Sequence, residues 1–216
     1  TSFEKPEKEF LQNVRKIADK NNSLLILDEV ITGFRFDLQG GQKFFNVKGD
    51  LVCFGKGMGN GLPISAITGP NEFMKVFDEL WVSSTNNSEA LSLAGTIAVI
   101  NEMKNKNTIP KCWEIGKKIF DGWNKITEEN NLNSKITGYP VRMNMQCYNS
   151  ENKLSPELKA LILQEMVKNG IFISPSWLAV SYSHTNEDVV KTLDVLNDTC
   201  KKIQNKVKNE NYNEFL

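Results

Sequence analysis

Leu24-Leu25-Ile26-Leu27-Asp28-Glu29 and, further along, Leu51-Val52-Cys53-Phe54-Gly55-Lys56 decide how this chain is read. Each stretch is an unbroken apolar run that stops at charged residues. Unbroken runs, as opposed to alternating ones, suit strands covered on both faces, as in a parallel sheet. The carboxyl ends of such strands line a ligand crevice. A third run, Ile64-Ser65-Ala66-Ile67, stops at Thr68-Gly69.

Helices are expected around these strands. Ser2 to Asn22 carries Phe10, Leu11, Val14, Ile17 and Ala18 at helical spacing, with Pro6 in the first turn. Ser88 to Lys104 has Leu91, Ala94, Ala98 and Met103 as inward candidates, and Pro110 to Asn130 has Trp113, Ile119, Phe120, Trp123 and Ile126. This is an α/β layer pattern. Beyond it, Val141 to Tyr148 alternates like a half-exposed strand. Ser155 is placed to cap a helix that Gly170 stops. Ile171–Ile173 and Leu178–Tyr182 are expected as short strands, and Thr185 as the cap of a last helix to about Val207. The polar tail 209–216 is expected to fray. The domain boundary is expected in the Asn-rich stretch before Gly138, giving 1–133 as an α/β unit and 134–216 as a small α+β unit.

Composition bounds the function. The 216 residues carry 26 basic and 26 acidic side chains, so no net charge speaks for nucleic acid or an anionic membrane. No apolar run reaches the ~18 residues of a membrane span. Cys53, Cys112, Cys147 and Cys200 form no CxxC pair, and His184 is the single histidine, so no metal site is expected. Reduced thiols suit a cytoplasmic protein. The sequence opens without a methionine and shows no signal peptide, which leaves the native start open.

Three motifs carry chemistry. Asp28-Glu29 after a buried strand is costly without a partner. It serves either as a capping or ion-paired acid, or as a carboxylate for a protonated ring nitrogen. Lys56, within Gly55-Lys56-Gly57-Met58-Gly59-Asn60-Gly61, is a candidate Schiff-base amine. A phosphate loop is excluded because no Ser or Thr follows the lysine. A dinucleotide fold is disfavoured because Leu62-Pro63 leads into another apolar run. Ser83-Ser84-Thr85-Asn86-Asn87-Ser88 precedes a helix and is either an anion site or simple capping by Ser88.

Asp28 and Lys56 lie 28 residues apart, and Thr85 follows 29 residues after Lys56. In that order LLILDEVITGFRF, DLVCFGKGMGNGLPISAITG and SSTNNSEALSLAG, with the later YSHTNEDVVKTLDVL, resemble the class III aminotransferases that use pyridoxal phosphate (PLP). The similarity runs from about residue 6 to 203 and is nearest the glutamate-1-semialdehyde 2,1-aminomutase branch. It implies PLP fold type I: part of the large α/β domain plus the small carboxy-terminal α+β domain. It also implies a cytoplasmic homodimer with a shared active site, acting on a small amino donor and carbonyl acceptor.

By this resemblance Asp28 pairs with the pyridine nitrogen, Val30 packs on one ring face, and Lys56 bears the cofactor and shuttles protons. Thr85 binds the phosphate from the other subunit. The family's upstream stretch, with its phosphate cup and second stacking aromatic, is not in these residues. Asn86-Asn87-Ser88 replaces the family's glycines; asparagine tolerates left-handed backbone better than most residues. Two functions follow: a transaminase or aminomutase, or an inactive or auxiliary fragment of one. Arg142 and Arg35 are candidate substrate contacts, with structural roles as the alternative, and His184 is read as structural.

Overall fold

The computed structural model describes residues 5–208. They form two compact units, Pro6–Ile109 and the residues from Pro110 onward together with Lys5. The division falls earlier than the 133/134 boundary expected from sequence, because the helix before that boundary supplies core residues to the second unit.

The first unit contains α1 (Phe10–Lys20), β1 (Ile26–Asp28), α2 (Gly41–Phe44), β2 (Leu51–Phe54), β3 (Ala66–Thr68), α3 (Asn71–Met74) and α4 (Ala90–Asn105). The strand order is β1-β2-β3. β1 and β2 are parallel, as the paired apolar runs predict, while β3 returns antiparallel. Only eleven residues separate Phe54 from Ala66, fewer than a parallel crossover needs. Helix α1 starts at Phe10, later than expected, because Glu9 takes a left-handed φ of 66° that no continuing helix allows. Its start at Ser2 would fall outside the described residues. Asp50 ties the elements together: its carboxylate accepts from the Leu25 amide at 2.7 Å and pairs with Arg15 of α1 at 2.6 Å.

Two expectations about packing fail here. The Leu24–Leu27 run is not covered on both faces: Leu24 is 49% and Ile26 57% exposed. Helix α4 turns out reversed. Ser92 and Thr96 are its buried residues, while Leu91, expected inward, is 68% exposed.

The second unit contains α5 (Thr108–Glu129), β4 (Ser134–Tyr139), β5 (Arg142–Cys147), α6 (Pro156–Lys168) and α7 (Asn186–Lys208). β4 and β5 form a hairpin closed by Pro140-Val141, with Tyr139 opposite Arg142. The α5 backbone runs close beneath it: a Cβ on Gly116 would meet the Pro140 carbonyl oxygen at 2.0 Å. Trp123, Met143, Met145, Leu158, Ile162 and Leu196 are buried in one core. Trp113 instead sits half-buried, edge-on to Tyr139.

Both expected caps hold. The Ser155 hydroxyl accepts from the Leu158 amide at 3.1 Å. Thr185 and Asp188 cap α7 reciprocally, the Asp188 amide donating to the Thr185 hydroxyl and the Thr185 amide to the Asp188 carboxylate. The strands expected at Ile171–Ile173 and Leu178–Tyr182 do not form; a single bridge joins Leu178 to Met143. Phe172 is 84% exposed, so this apolar run has no sheet to enter. The tail 209–216 lies outside the described residues. No described helix is long and apolar enough to cross a membrane.

Candidate active site

Adjacent parallel strands bring the two central residues to one end of the sheet. Asp28 closes β1 and stands opposite Cys53 of β2, and Lys56 follows Cys53 by three residues. Three residues of chain span at most about 10 Å. Lys56 opens a 3-10 turn, Lys56–Met58, with φ 43°, a conformation rare outside glycine. Its ammonium is exposed and has no hydrogen-bond or ion-pair partner among the described residues. One Asp28 oxygen accepts from the Val30 amide at 3.0 Å, which fixes the carboxylate as a local turn; the other oxygen is unengaged among the described residues. Val30 lies beside Gly55, its Cγ1 being 3.5 Å from where a Cβ there would stand. Asp28, Val30 and the backbone of Lys56 thus lie at the same end of the sheet.

The two readings of the acidic pair both apply, one to each residue. Glu29 is 3% exposed. It accepts from the amides of Gly41 at 2.8 Å and Gln42 at 2.7 Å, and from the Thr32 hydroxyl. It is the capping acid, and its neighbour Asp28 is left facing outward. Gly40 makes this possible: at φ 83° it is left-handed, and a Cβ there would come within 2.7 Å of the Glu29 carboxyl carbon. Sequence reasoning did not separate these roles. The signal that could have done so is Gly40-Gly41, a helix start with no side chain of its own to cap it.

The glycines after Lys56 serve the loop itself. A Cβ on Gly59 would stand 2.7 Å from the Leu62 carbonyl oxygen, and Gly61 has φ 111°.

Thr85 is exposed in a turn before α4, and no described hydrogen bond joins it to Asp28, Val30 or Lys56. The left-handed residue of this loop is Ser88, at φ 60°, and neither Asn86 nor Asn87. Nor does Ser88 cap the helix. Glu89 does, accepting from the amides of Leu91 at 2.8 Å and Ser92 at 2.7 Å and from the Ser92 hydroxyl at 2.6 Å. The helix start that sequence suggested as an anion site therefore already holds a carboxylate. These bonds, the Ser92 hydroxyl first, hold the Glu89 carboxyl below its ordinary range.

The remaining candidates divide plainly. The His184 Nδ1 accepts from the Ser181 amide at 2.9 Å, closing the turn before α7. Arg142 begins β5, half-buried, in the second unit. Arg35 is half-buried in the first.

The glutamate-1-semialdehyde 2,1-aminomutase of Acetivibrio thermocellus is 31% identical over 198 residues, a match covering 88% of this chain and 46% of that protein. The 3-aminobutyryl-CoA aminotransferase of Cloacimonas acidaminovorans is 29% identical, covering 92% of this chain and 49% of that one. The chain spans about half the length of the curated relatives it matches. Among solved structures, an omega-transaminase from Sphaerobacter thermophilus superposes with a TM-score of 0.81 at 23% identity, over 91% of this chain and 48% of that one. The fold is accordingly the mixed α/β fold of the PLP-dependent transaminases. Residues 3–200 match the family model for class-III aminotransferases, and the chain belongs to that family.

Proposed function

We propose that this chain carries the lysine and aspartate of a PLP-dependent transaminase or aminomutase. The observation that carries the reading is the placement of two unengaged groups, the Lys56 amine and an Asp28 oxygen, at the same end of two adjacent parallel strands. Those residues fit the ring end of the cofactor. PLP, when bound, supplies an electrophilic aldehyde and an electron-withdrawing ring. Lys56 Nζ would hold it covalently and would serve as the base for the substrate Cα proton. Asp28 would keep the ring nitrogen protonated, and Val30, which lies beside Gly55, would offer an apolar side chain to the ring. Thr85 would hold the phosphate from the second subunit of a homodimer, in keeping with the lack of any described hydrogen bond from it to the other three.

The test is direct. PLP added to the purified protein should give an absorbance band near the edge of the visible range. Borohydride should make the attachment permanent, with the added mass on the peptide containing Lys56. A mass on a different lysine, or a band that persists in Lys56→Ala, overturns the assignment.

A second reading, an auxiliary or inactive part of such an enzyme, is favoured by one specific observation: the exposed apolar surface of the first unit. A chain that is folded by circular dichroism but binds no PLP supports it.

A further inference from the structure

The loop that follows β1 grips the end of β2 by three successive contacts. Val30 lies beside Gly55. Gly33 is pressed against Phe54: a Cβ on Gly33 would come within 2.5 Å of the Phe54 ring and 2.7 Å of the Glu29 carbonyl oxygen. Phe34 reaches past the strand end to the turn that carries Lys56. Its Cβ is 3.7 Å from where a Cβ on Gly57 would stand, and its ring meets that of Phe54 edge-on, with centroids 5.5 Å apart.

Two backbones are held out of their ordinary range at this contact. Phe34 has φ 58°, and Lys56, the neighbour of Gly57, has φ 43°. A left-handed backbone is a genuine outlier for a bulky residue. It persists only where its surroundings over-determine it, and such residues gather at functional sites. The constraints on Phe34 are visible. The Glu29 carbonyl accepts from the Gly33 amide at 2.8 Å, the Thr32 carbonyl accepts from the Phe36 amide at 3.0 Å, and the Glu29 amide donates to the Cys53 carbonyl at 2.8 Å. The loop is thereby tied to the β1–β2 ladder and closed on both sides of Phe34. The Lys56 turn has less support of its own. The Met58 amide donates to the Gly55 carbonyl at 3.0 Å, and the Gly59 and Asn60 amides to the Lys56 carbonyl at 3.1 and 3.0 Å. These bonds are internal and shape the turn without placing it. Met58, 5% exposed, anchors the far end by burial, while Phe34 meets the residue next to Lys56. Phe54 shares with Val52 the face opposite Cys53 and Asp28, so the Phe34–Phe54 contact lies on the side away from the Asp28 carboxylate.

We infer that Phe34 is a positioning residue. Through Phe54 and Gly57 it fixes where the Lys56 turn stands relative to Asp28, and it does so from behind, with no need to meet the cofactor. The consequence for PLP rests on the proposed transaminase reading; the mechanical role rests on the contacts alone.

The experiment compares Phe34→Gly, which accepts a left-handed backbone and removes the ring, with Phe34→Tyr, which keeps the ring. Without cofactor, amide hydrogen exchange at Met58, Gly59 and Asn60 should quicken about tenfold in Phe34→Gly. It should return to the unmodified rate in Phe34→Tyr and stay unchanged along the β1–β2 ladder. With PLP added, borohydride trapping at Lys56 should fall roughly ten- to hundredfold in Phe34→Gly and recover in Phe34→Tyr. The pH midpoint of the visible band should move in the same direction as in Asp28→Asn. Phe34→Gly combined with Asp28→Asn should lose clearly less than the product of the two single losses, because one residue acts by placing the partner of the other. If Phe34→Gly does not fold, Phe34→Leu takes its place, with the same directions expected. Unchanged exchange in the turn, losses that multiply in the double variant, or failure of Phe34→Tyr to restore either readout overturns the inference. If the unmodified chain takes up no PLP, the transaminase reading fails and the exchange measurement by itself decides the role of Phe34.

Discussion

Asp28 and Cys53 face each other across the β1–β2 ladder, so the carboxylate of one strand stands beside the chain that reaches Lys56 three residues later. Asp28→Asn keeps the shape and removes the charge. A hydrogen bond to a charged group contributes about 1.5–3 kcal/mol. In the assembly that holds PLP, this substitution should weaken cofactor binding roughly ten- to hundredfold while leaving Lys56 able to capture it. A PLP titration followed by borohydride trapping checks both parts.

Glu89 occupies the start of α4. Glu89→Ala should lower the thermal midpoint by a few degrees and free the Leu91 and Ser92 amides for an anion, read as stabilisation by added inorganic phosphate that the unmodified chain does not show. The Glu89 carboxyl is held below its ordinary range in the folded state. Its contribution is therefore complete above the usual carboxylate range and is lost as pH falls through the lowered value.

Glu165 is 2% exposed and joins Lys168 at 3.0 Å and Lys202 at 2.5 Å. The Lys202 bond, and then Lys168, holds its carboxyl below the ordinary range. The sign is the same as for Glu89: the contribution is present above the ordinary carboxylate range and disappears on acidification. Both lysines are more than half exposed and can regain water, so Glu165→Gln should cost about 1–3 kcal/mol, less than breaking a fully buried pair. Urea melts at neutral pH and at pH 3 check it: the gap between variant and unmodified chain should narrow at the lower pH.

Trp123 is completely buried in the second core. Trp123→Ala should cost about 3–5 kcal/mol. The indole N–H has no acceptor in its burial site, so Trp123→Phe gives up volume without leaving a hydrogen bond broken and should cost clearly less. Paired denaturation curves separate the two.

Burial raises the Cys147 thiol to about 11 and the Cys200 thiol to about 12. Cys53 and Cys112 are half-buried. Since the thiolate is the reactive form, iodoacetamide at pH 8 should label Cys53 and Cys112 first. Cys147 and Cys200 should react only on unfolding, which peptide mass mapping resolves.

Much of the fold was legible because local chemistry decides it. The runs ending at Asp28 and Phe54 formed adjacent parallel strands, and Ser155 and Thr185 capped the helices they precede. β4 was not legible. Ser134, Lys135, Thr137 and Gly138 give it little apolar signal, and only pairing with β5 makes it a strand. The 171–182 segment was misread for the opposite reason, being rich in apolar residues yet meeting β5 only at the single Leu178–Met143 bridge.

The amino-acid sequence by itself determined the order Asp28, Lys56, Thr85 and the strand ends that carry the first two, because short apolar runs and the charges that stop them act over a few neighbouring residues. The tertiary structure alone decided which acid faces outward. Glu29 turned inward because the turn at Gly40 brings the Gly41 and Gln42 amides to it from twelve and thirteen residues away, leaving Asp28 facing outward. It alone decided, too, that α4 buries its hydroxyls and exposes its leucines, since the side a helix presents depends on what packs against it.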